Sequence, residues 1–192
     1  MDRLEFLVEE PSMAEVLRQI LPKVLPKGWD MNQNYFIRTH EGKQDLKRSL
    51  LSKLKAFSKM PFETGIVVLI DQDSSNCVAL KQSLVDICTK QGSHNVHHCI
   101  RIVCHELESW YLGDMAALEK VFPNFHAATY SKRAKFRQPD MCVNPKAELK
   151  RIVGDYPQIG KAREIAPLMN VDNNKSNSFR CFVAGIIKLI SL

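Results

Sequence analysis

The chain is 192 residues long and carries 27 Lys and Arg against 21 Asp and Glu, a formal net charge of +6. That length fits one domain with an ordinary buried core, and the basic excess suits a polyanionic partner without identifying one. The opening "MDRLEFLVEE" is charged every two or three residues and no apolar run reaches bilayer-spanning length, which excludes a signal peptide and a membrane helix and predicts a soluble, cytoplasmic protein with no membrane partner.

In chain order, "RLEFLVEE" alternates as a strand and stops at two acids. "MAEVLRQILPKVL" has the apolar period of a helix, and "NYFIRTH" is a second strand ending at His40. "KQDLKRSLLSKLKAFSKM" places Leu46, Leu50, Leu54 and Phe57 on one helical face. "GIVVLID" is a buried third strand, "CVALKQSLVDICTKQG" a helix ended by Gly92, and "HHCIRIVCHE" a fourth strand. Beyond Glu106 the strand signal stops. "LESWYLGDMAALEKVF", "NPKAELKRIVG", "IGKAREIAPLM" and "SNSFRCFVAGIIKLISL" read as helices between Pro- and Asn-rich turns. Strands alternating with helices predict an α/β fold, a mostly parallel sheet of about four strands with flanking helices and a helical C-terminal half. Residues 1–192 are read as a single domain, with the α/β core over about 1–112 and the helical extension over about 113–192. Six cysteines without a CxxC pair are read as reduced thiols.

Three strands end in acids: Glu9 and Glu10, then Asp71 and Asp73, then Glu106. Ligands of open parallel sheets bind beyond the carboxyl ends of the strands. Carboxylates gathered there raise one another's pKa unless a cation sits among them, and a hard divalent ion with oxygen ligands is the economical solution. A single such Asp is usually a turn former or helix cap. The convergence of three strand ends is what carries the metal reading.

Near the same edge, His40 is a candidate base or phosphate contact, against a bland role as a capping histidine. Gly42 and Lys43 open the long helix, where backbone N–H groups and a lysine meet a phosphate readily. This is not a nucleotide-binding loop, since Ile37 stands where it needs Gly and Gln44 where it needs Ser or Thr. "YSKRAKFRQP" interleaves Lys132, Arg133, Lys135 and Arg137 with Tyr130 and Phe136, a mix that tracks a phosphate backbone and stacks on bases, unless it is only a solvated face. The histidines and cysteines of "HNVHHC" and "CH" match no zinc spacing, and Trp110 and Tyr111 sit at helical spacing with Leu107 as core residues.

The acid of "LVEEPS" followed by the D-x-D of "VVLIDQD" resembles the toprim domain of topoisomerases, bacterial primases and nucleases of the overcoming-lysogenization-defect type. More narrowly, "VEEPS", "HEGKQDL", "LIDQD", "HELESWYLGD" and "NSFRCF" together resemble a toprim-like bacterial family, domain of unknown function 4276, over roughly residues 5 to 185. By that resemblance Glu9 stands at the toprim glutamate and Asp71 and Asp73 at the toprim aspartates, and "ELE" adds Glu106 and Glu108 as the next candidates. Two positions depart: Glu10 stands where toprim sequences often have Gly, and Met13 where many toprim nucleases carry a further acid. The chain is too short for a topoisomerase or a primase. The resemblance implies a Mg²⁺-dependent phosphodiesterase or nuclease, with Mn²⁺ as a substitute ion, acting on nucleic acid. It further implies the nuclease component of a defence system, working beside a separately encoded ATPase. In that reading Glu9, Asp71, Asp73 and Glu106 hold the metal, and Lys43, Lys132, Arg133, Lys135 and Arg137 meet phosphates. Two alternatives stand beside it: a catalytically silent toprim-like binding or regulatory subunit, and a phosphatase with Asp71 as nucleophile. The last is disfavoured because its D-x-D normally follows the first strand.

Overall fold

The computed structural model describes residues 1–192. Four parallel strands, β1 (Arg3–Val8), β2 (Tyr35–Thr39), β3 (Thr64–Asp71) and β4 (Val96–Val103), lie in the order β2-β1-β3-β4. β3 is buried along its whole length, which is why it reads as a continuous apolar run rather than an alternation. The crossovers are α1 (Pro11–Val24), α2 (Lys43–Phe57) and α3 (Cys77–Lys90). α1 carries the chain outward from β1 to β2, α2 returns it past β1 to β3, and α3 continues outward to β4. The winding reverses between β1 and β3, so the carboxyl ends of these two strands frame the crevice where such sheets bind ligands.

Alternate residues of each strand serve opposite faces. On one face Leu46, Leu50, Leu54 and Phe57 of α2 pack with Leu7, Ile66, Val68 and Ile70. On the other, Leu4, Phe6 and Val8 of β1 and Val67 and Leu69 of β3 join a larger core with α1 and the C-terminal helices. Those helices are α4 (Glu108–Leu112), α5 (Met115–Val121), α6 (Ala127–Tyr130), α7 (Ala134–Arg137), α8 (Pro145–Val153), α9 (Gln158–Ile165) and α10 (Asn177–Ile190). The α/β architecture with a helical C-terminal half is thus the one expected from the pattern of elements.

The single helix expected over "LESWYLGDMAALEKVF" is instead two. α4 stops at Gly113, where a Cβ would lie 2.8 Å from the Ser176 backbone nitrogen, and Asp114 caps α5 by accepting the Ala117 N–H at 3.2 Å. Trp110 anchors α4 to α10: its ring centroid lies 5.0 Å from that of Phe179 and 5.1 Å from that of Phe182, and its Nε1–H donates to Ser178 Oγ at 3.0 Å. Truncating a buried aromatic of this kind costs about 3–5 kcal/mol, so this contact fixes how the chain leaving β4 is held at the sheet edge. The six cysteines are free thiols. No helix is long and apolar enough to cross a membrane.

Candidate active site

β1 ends at Val8 and α1 begins at Pro11, whose fixed φ suits the first helical turn, so Glu9 and Glu10 are pinned in a short turn at the crevice. The Glu9 N–H donates to Leu69 O at 3.3 Å, and its carboxylate accepts the Asp71 N–H at 3.1 Å. The side chain therefore reaches across to the end of β3. Asp71, the last residue of β3, is 9% exposed, and its Oδ1 is buried with no hydrogen-bond partner. Asp73 adopts a left-handed backbone (φ 51°), as does His105 (φ 59°) in the loop after β4. The two turns are tied together, because Asp73 N–H donates to His105 O at 2.8 Å and His105 N–H to Gln72 Oε1 at 3.3 Å. Non-glycine residues held in this region cost on the order of 1 kcal/mol each and persist where the surroundings over-determine them, commonly at functional sites.

Burial does not by itself set Asp71 apart; the want of a partner does. Glu5 in β1 is 0% exposed, but its carboxylate accepts from Arg3 Nε at 3.0 Å, Lys53 Nζ at 3.1 Å and Arg38 Nε at 3.3 Å. Burial pushes its pKa up, and these cations more than offset that, holding it below the ordinary glutamate value. Asp71 has the opposite surroundings. Burial drives its carboxyl well above the ordinary aspartate value, and repulsion from Glu10, Glu108, Glu9 and Asp73 adds to it. Glu9 is raised too, mainly by burial and against the pull of Lys43.

The elements after β4 divide the acids of "HELE" between two tasks. Glu106 Oε2 accepts the Lys146 N–H at 3.1 Å, fastening the first turn of α8 to the sheet edge. It lines a cleft of about 420 Å³ with Gln72, Asp73, His105 and Asn144. Glu108, which opens α4, is 1% exposed and is the acid of this pair whose charge bears on Asp71. Burial, with repulsion from Glu106 adding, raises its carboxyl to about 7. Its Oε1 accepts from Gln158 Nε2 at 3.5 Å, Tyr156 lies beside it, and the fully buried Tyr111 hydroxyl nearby has no partner.

On the other side of Glu9, His40 is 9% exposed and its Nδ1 lies 3.0 Å from Val8 O. A carbonyl only accepts, so Nδ1 carries the proton and Nε2 keeps the free lone pair. With Glu9, Glu10, Glu41, Asp45 and Arg48, His40 lines a groove of about 760 Å³ that has no hydrophobic residue in its wall. Lys43, the first residue of α2, pairs with Asp73 Oδ2 and reaches Gln72 O at 3.4 Å.

Glu9, Asp71 and Asp73 are therefore brought to one crevice, with Glu108 behind them and His40 and Lys43 beside them. Oxygen donors around a buried, unsatisfied carboxylate oxygen suit a hard divalent ion. The side chains do not form a finished cage: no three His, Cys, Asp or Glu residues are spaced to hold one ion together, and Asp73 is drawn aside by Lys43. The basic stretch is arranged differently from the expectation. Phe136 is 1% exposed in the core and Tyr130 stacks on Phe125 at 4.7 Å, so neither presents a face to a base. The short helices α6 and α7 turn the aromatics inward and leave Lys132, Arg133 and Arg137 exposed, while Lys135 pairs with Glu148 at 2.6 Å.

Sequence reasoning missed Tyr111 and Tyr156 as the buried hydroxyls around Glu108. The spacing of Glu108 and Tyr111, three apart in one helix, was a usable signal; Tyr156 arrives from α8–α9 with none.

Residues 8–187 match the model of the family described as Domain of unknown function (DUF4276). The chain belongs to that family. Its fold is similar to the C-terminal region of the Xanthomonas campestris pv. campestris OLD protein, with a TM-score of 0.50 and 14% sequence identity over 100% of this chain and 97% of that one. At that identity the likeness establishes the fold, a toprim-like one. No curated protein matches the chain.

Proposed function

We propose that this chain is a divalent-metal-dependent phosphodiesterase that cuts nucleic acid. The observation that carries the reading is the buried Asp71 carboxylate, unpartnered at Oδ1 and set among Glu9, Glu10, Glu108 and Asp73 at the point where the sheet reverses its winding. Glu9, Asp71 and Asp73 hold the ion, Mg²⁺ or Mn²⁺, with Glu108 supporting them. When bound, such an ion polarises a phosphodiester and lowers the pKa of an attacking water. The chain's own residues do the rest. Lys43 Nζ, released from Asp73, neutralises a phosphate oxygen. His40, fixed by Val8 O at Nδ1, takes a proton from the incoming water at Nε2. Glu106 keeps α8 in place as one wall of the cleft beside Asp73.

The likeness to a region of an OLD protein, together with the toprim resemblance, supports a role as the nuclease component of a cytoplasmic defence system beside a separately encoded ATPase. A second reading, the silent binding subunit, draws support from the Lys43–Asp73 ion pair, which occupies one of the acids. Calorimetric titration with Mn²⁺ tests the metal site: Asp71→Asn loses the binding heat, and unchanged binding overturns the site. Incubation of the pure protein with single- and double-stranded DNA and RNA in Mg²⁺ or Mn²⁺, alone and with any neighbouring ATPase, separates the two readings. Cleavage that Asp71→Asn abolishes supports the enzyme; metal binding with no cleavage supports the silent subunit.

A further inference from the structure

Past β4, the acidic edge of the sheet gives way to a basic cleft of about 440 Å³ between the loop after β4, the turn Pro139–Met141 and the start of α10. Arg137, Lys175 and Arg180 line it and are exposed. The ion pairs of the C-terminal half are Lys135–Glu148, Arg151–Glu148, Lys161–Glu164 and Arg163–Glu15, and none involves these three cations. The one carboxylate in the wall, Asp140, is already committed: it accepts Ser176 Oγ at 2.6 Å and the Ser178 N–H at 2.7 Å at the first turn of α10. Three cations without an ion-pair partner thus line an open cleft against the single charge of Asp140.

The cleft lies next to the one that holds Asp73. Cys104 lines the basic cleft, while the next two residues, His105 and Glu106, line the cleft that holds Asp73. Met141 and Val143, 71% and 67% exposed, stand between the two. Cys104 of the basic cleft follows Val103, which pairs with Asp71 across adjacent strands, so the cleft begins one strand spacing, ~4.8 Å, from the end of β3. On the far side of Glu9 the groove walls carry the carboxylates Glu10, Glu41 and Asp45 against one cation, Arg48, a net charge unfavourable to a phosphate backbone. A polyanion reaching Asp71 is therefore held from the β4 side.

We propose that Arg137, Lys175 and Arg180 form a phosphate subsite that grips the backbone of a nucleic-acid strand, with Met141 and Val143 as an apolar ridge against its bases. Arginine forks match phosphate oxygens two at a time, and backbone grip of this kind is independent of base sequence. The subsite is a claim about binding; only its link to the bond cut at Asp71 rests on the proposed function.

The test is fluorescence anisotropy of labelled single- and double-stranded DNA in EDTA across a salt series, with unmodified protein and the double variant Lys175→Gln, Arg180→Gln. Two lost phosphate contacts lower the slope of log affinity against log salt by about 1.4 for single strands and 1.8 for duplex. Both positions are exposed, and thermal unfolding checks that the variant remains folded. The control pair Lys81→Gln, Lys188→Gln removes the same charge from another cleft, along the outer edge of β4. An unchanged slope in the first pair, an equal fall in the control pair, or no binding by the unmodified protein at low salt overturns the subsite. Cleft-dependent binding without cleavage in Mn²⁺ upholds the subsite and sinks the hydrolytic reading, and Asp71→Asn that binds like the unmodified protein but does not cut upholds both.

Discussion

Replacing Glu108 by Gln in metal-free protein tests whether the acids of the crevice stand uncompensated. Folding raises this carboxyl from the ordinary 4.5 to about 7, chiefly by burial. Between those values the folded chain keeps a proton that the unfolded chain has released, so stability falls as pH rises through the window. The loss is absent below the unfolded value and complete above the folded one. At about 1.4 kcal/mol for each tenfold change in proton affinity, it amounts to about 3 kcal/mol at slightly alkaline pH, or about 6–12 °C of Tm for a chain of this size. Glutamine keeps the shape of the side chain and can still accept from Gln158 but does not ionise. The variant therefore matches the unmodified protein near pH 4.5 and gains on it progressively toward pH 8, and Asp71, relieved of the Glu108 charge, is raised less in the variant, which adds to the gain. Thermal melts in EDTA at half-unit pH steps read this directly. Melting curves that stay parallel across the whole range, or a variant that is the less stable at pH 8, refute the reasoning. Saturating Mn²⁺ narrows the difference, since an ion that binds only the folded state adds about 2.7 kcal/mol at a hundredfold excess over its Kd.

Lys43→Met removes the cation that pairs with Asp73 and pulls the Glu9 carboxyl down, so Mn²⁺ affinity rises while cleavage slows; a fall in affinity shows instead that Lys43 organises the acids. His40→Ala leaves the calorimetric Mn²⁺ affinity intact and slows turnover by about 10²–10⁴-fold, the usual worth of general acid–base catalysis; equal turnover removes His40 from the chemistry. Asp71→Asn abolishes the Mn²⁺ binding heat, and the Lys175→Gln, Arg180→Gln pair flattens the salt dependence of DNA binding without touching that heat.

The sheet and its crossovers were legible because burial imposes short-range patterns. Leu46, Leu50, Leu54 and Phe57 are spaced for one helical face, and all four are buried together. "GIVVLID" had to be central because nothing in it tolerates solvent, and the acid closing it marked the strand's exit. The break at Gly113 was less legible, since the close approach that demands glycine comes from Ser176, far along the chain. The aromatics of the basic stretch were less legible for a related reason. Alternation of cations and aromatics looks the same whether the rings face a base or a core, and only the packing of Tyr130 on Phe125 decides between them. Glu106 and Glu108 illustrate the limit at its sharpest. Two residues apart, they are alike by composition, yet the direction in which α4 leaves the sheet buries one and gives the other to α8.

That division bears on how the crevice survives without an ion. Glu5 shows that the fold neutralises a buried acid with three cations where nothing else is required of it. At the strand ends Lys43 reaches Asp73 and tempers Glu9, and Lys146 tempers Glu108, but Asp71 and Glu108 still hold protons more tightly than ordinary carboxyls. A lysine on the first turn of a helix and a proton on a carboxyl are both displaceable counter-charges, whereas three cations converging on one buried carboxylate, as at Glu5, are not. On the proposed reading, an entering cation would meet acids whose present compensation leaves easily, and its binding would release protons in the pH range where Glu108 titrates. In the proposed metal-binding reading, the same carboxylates that lower the stability of the metal-free fold are the ones that would hold the ion.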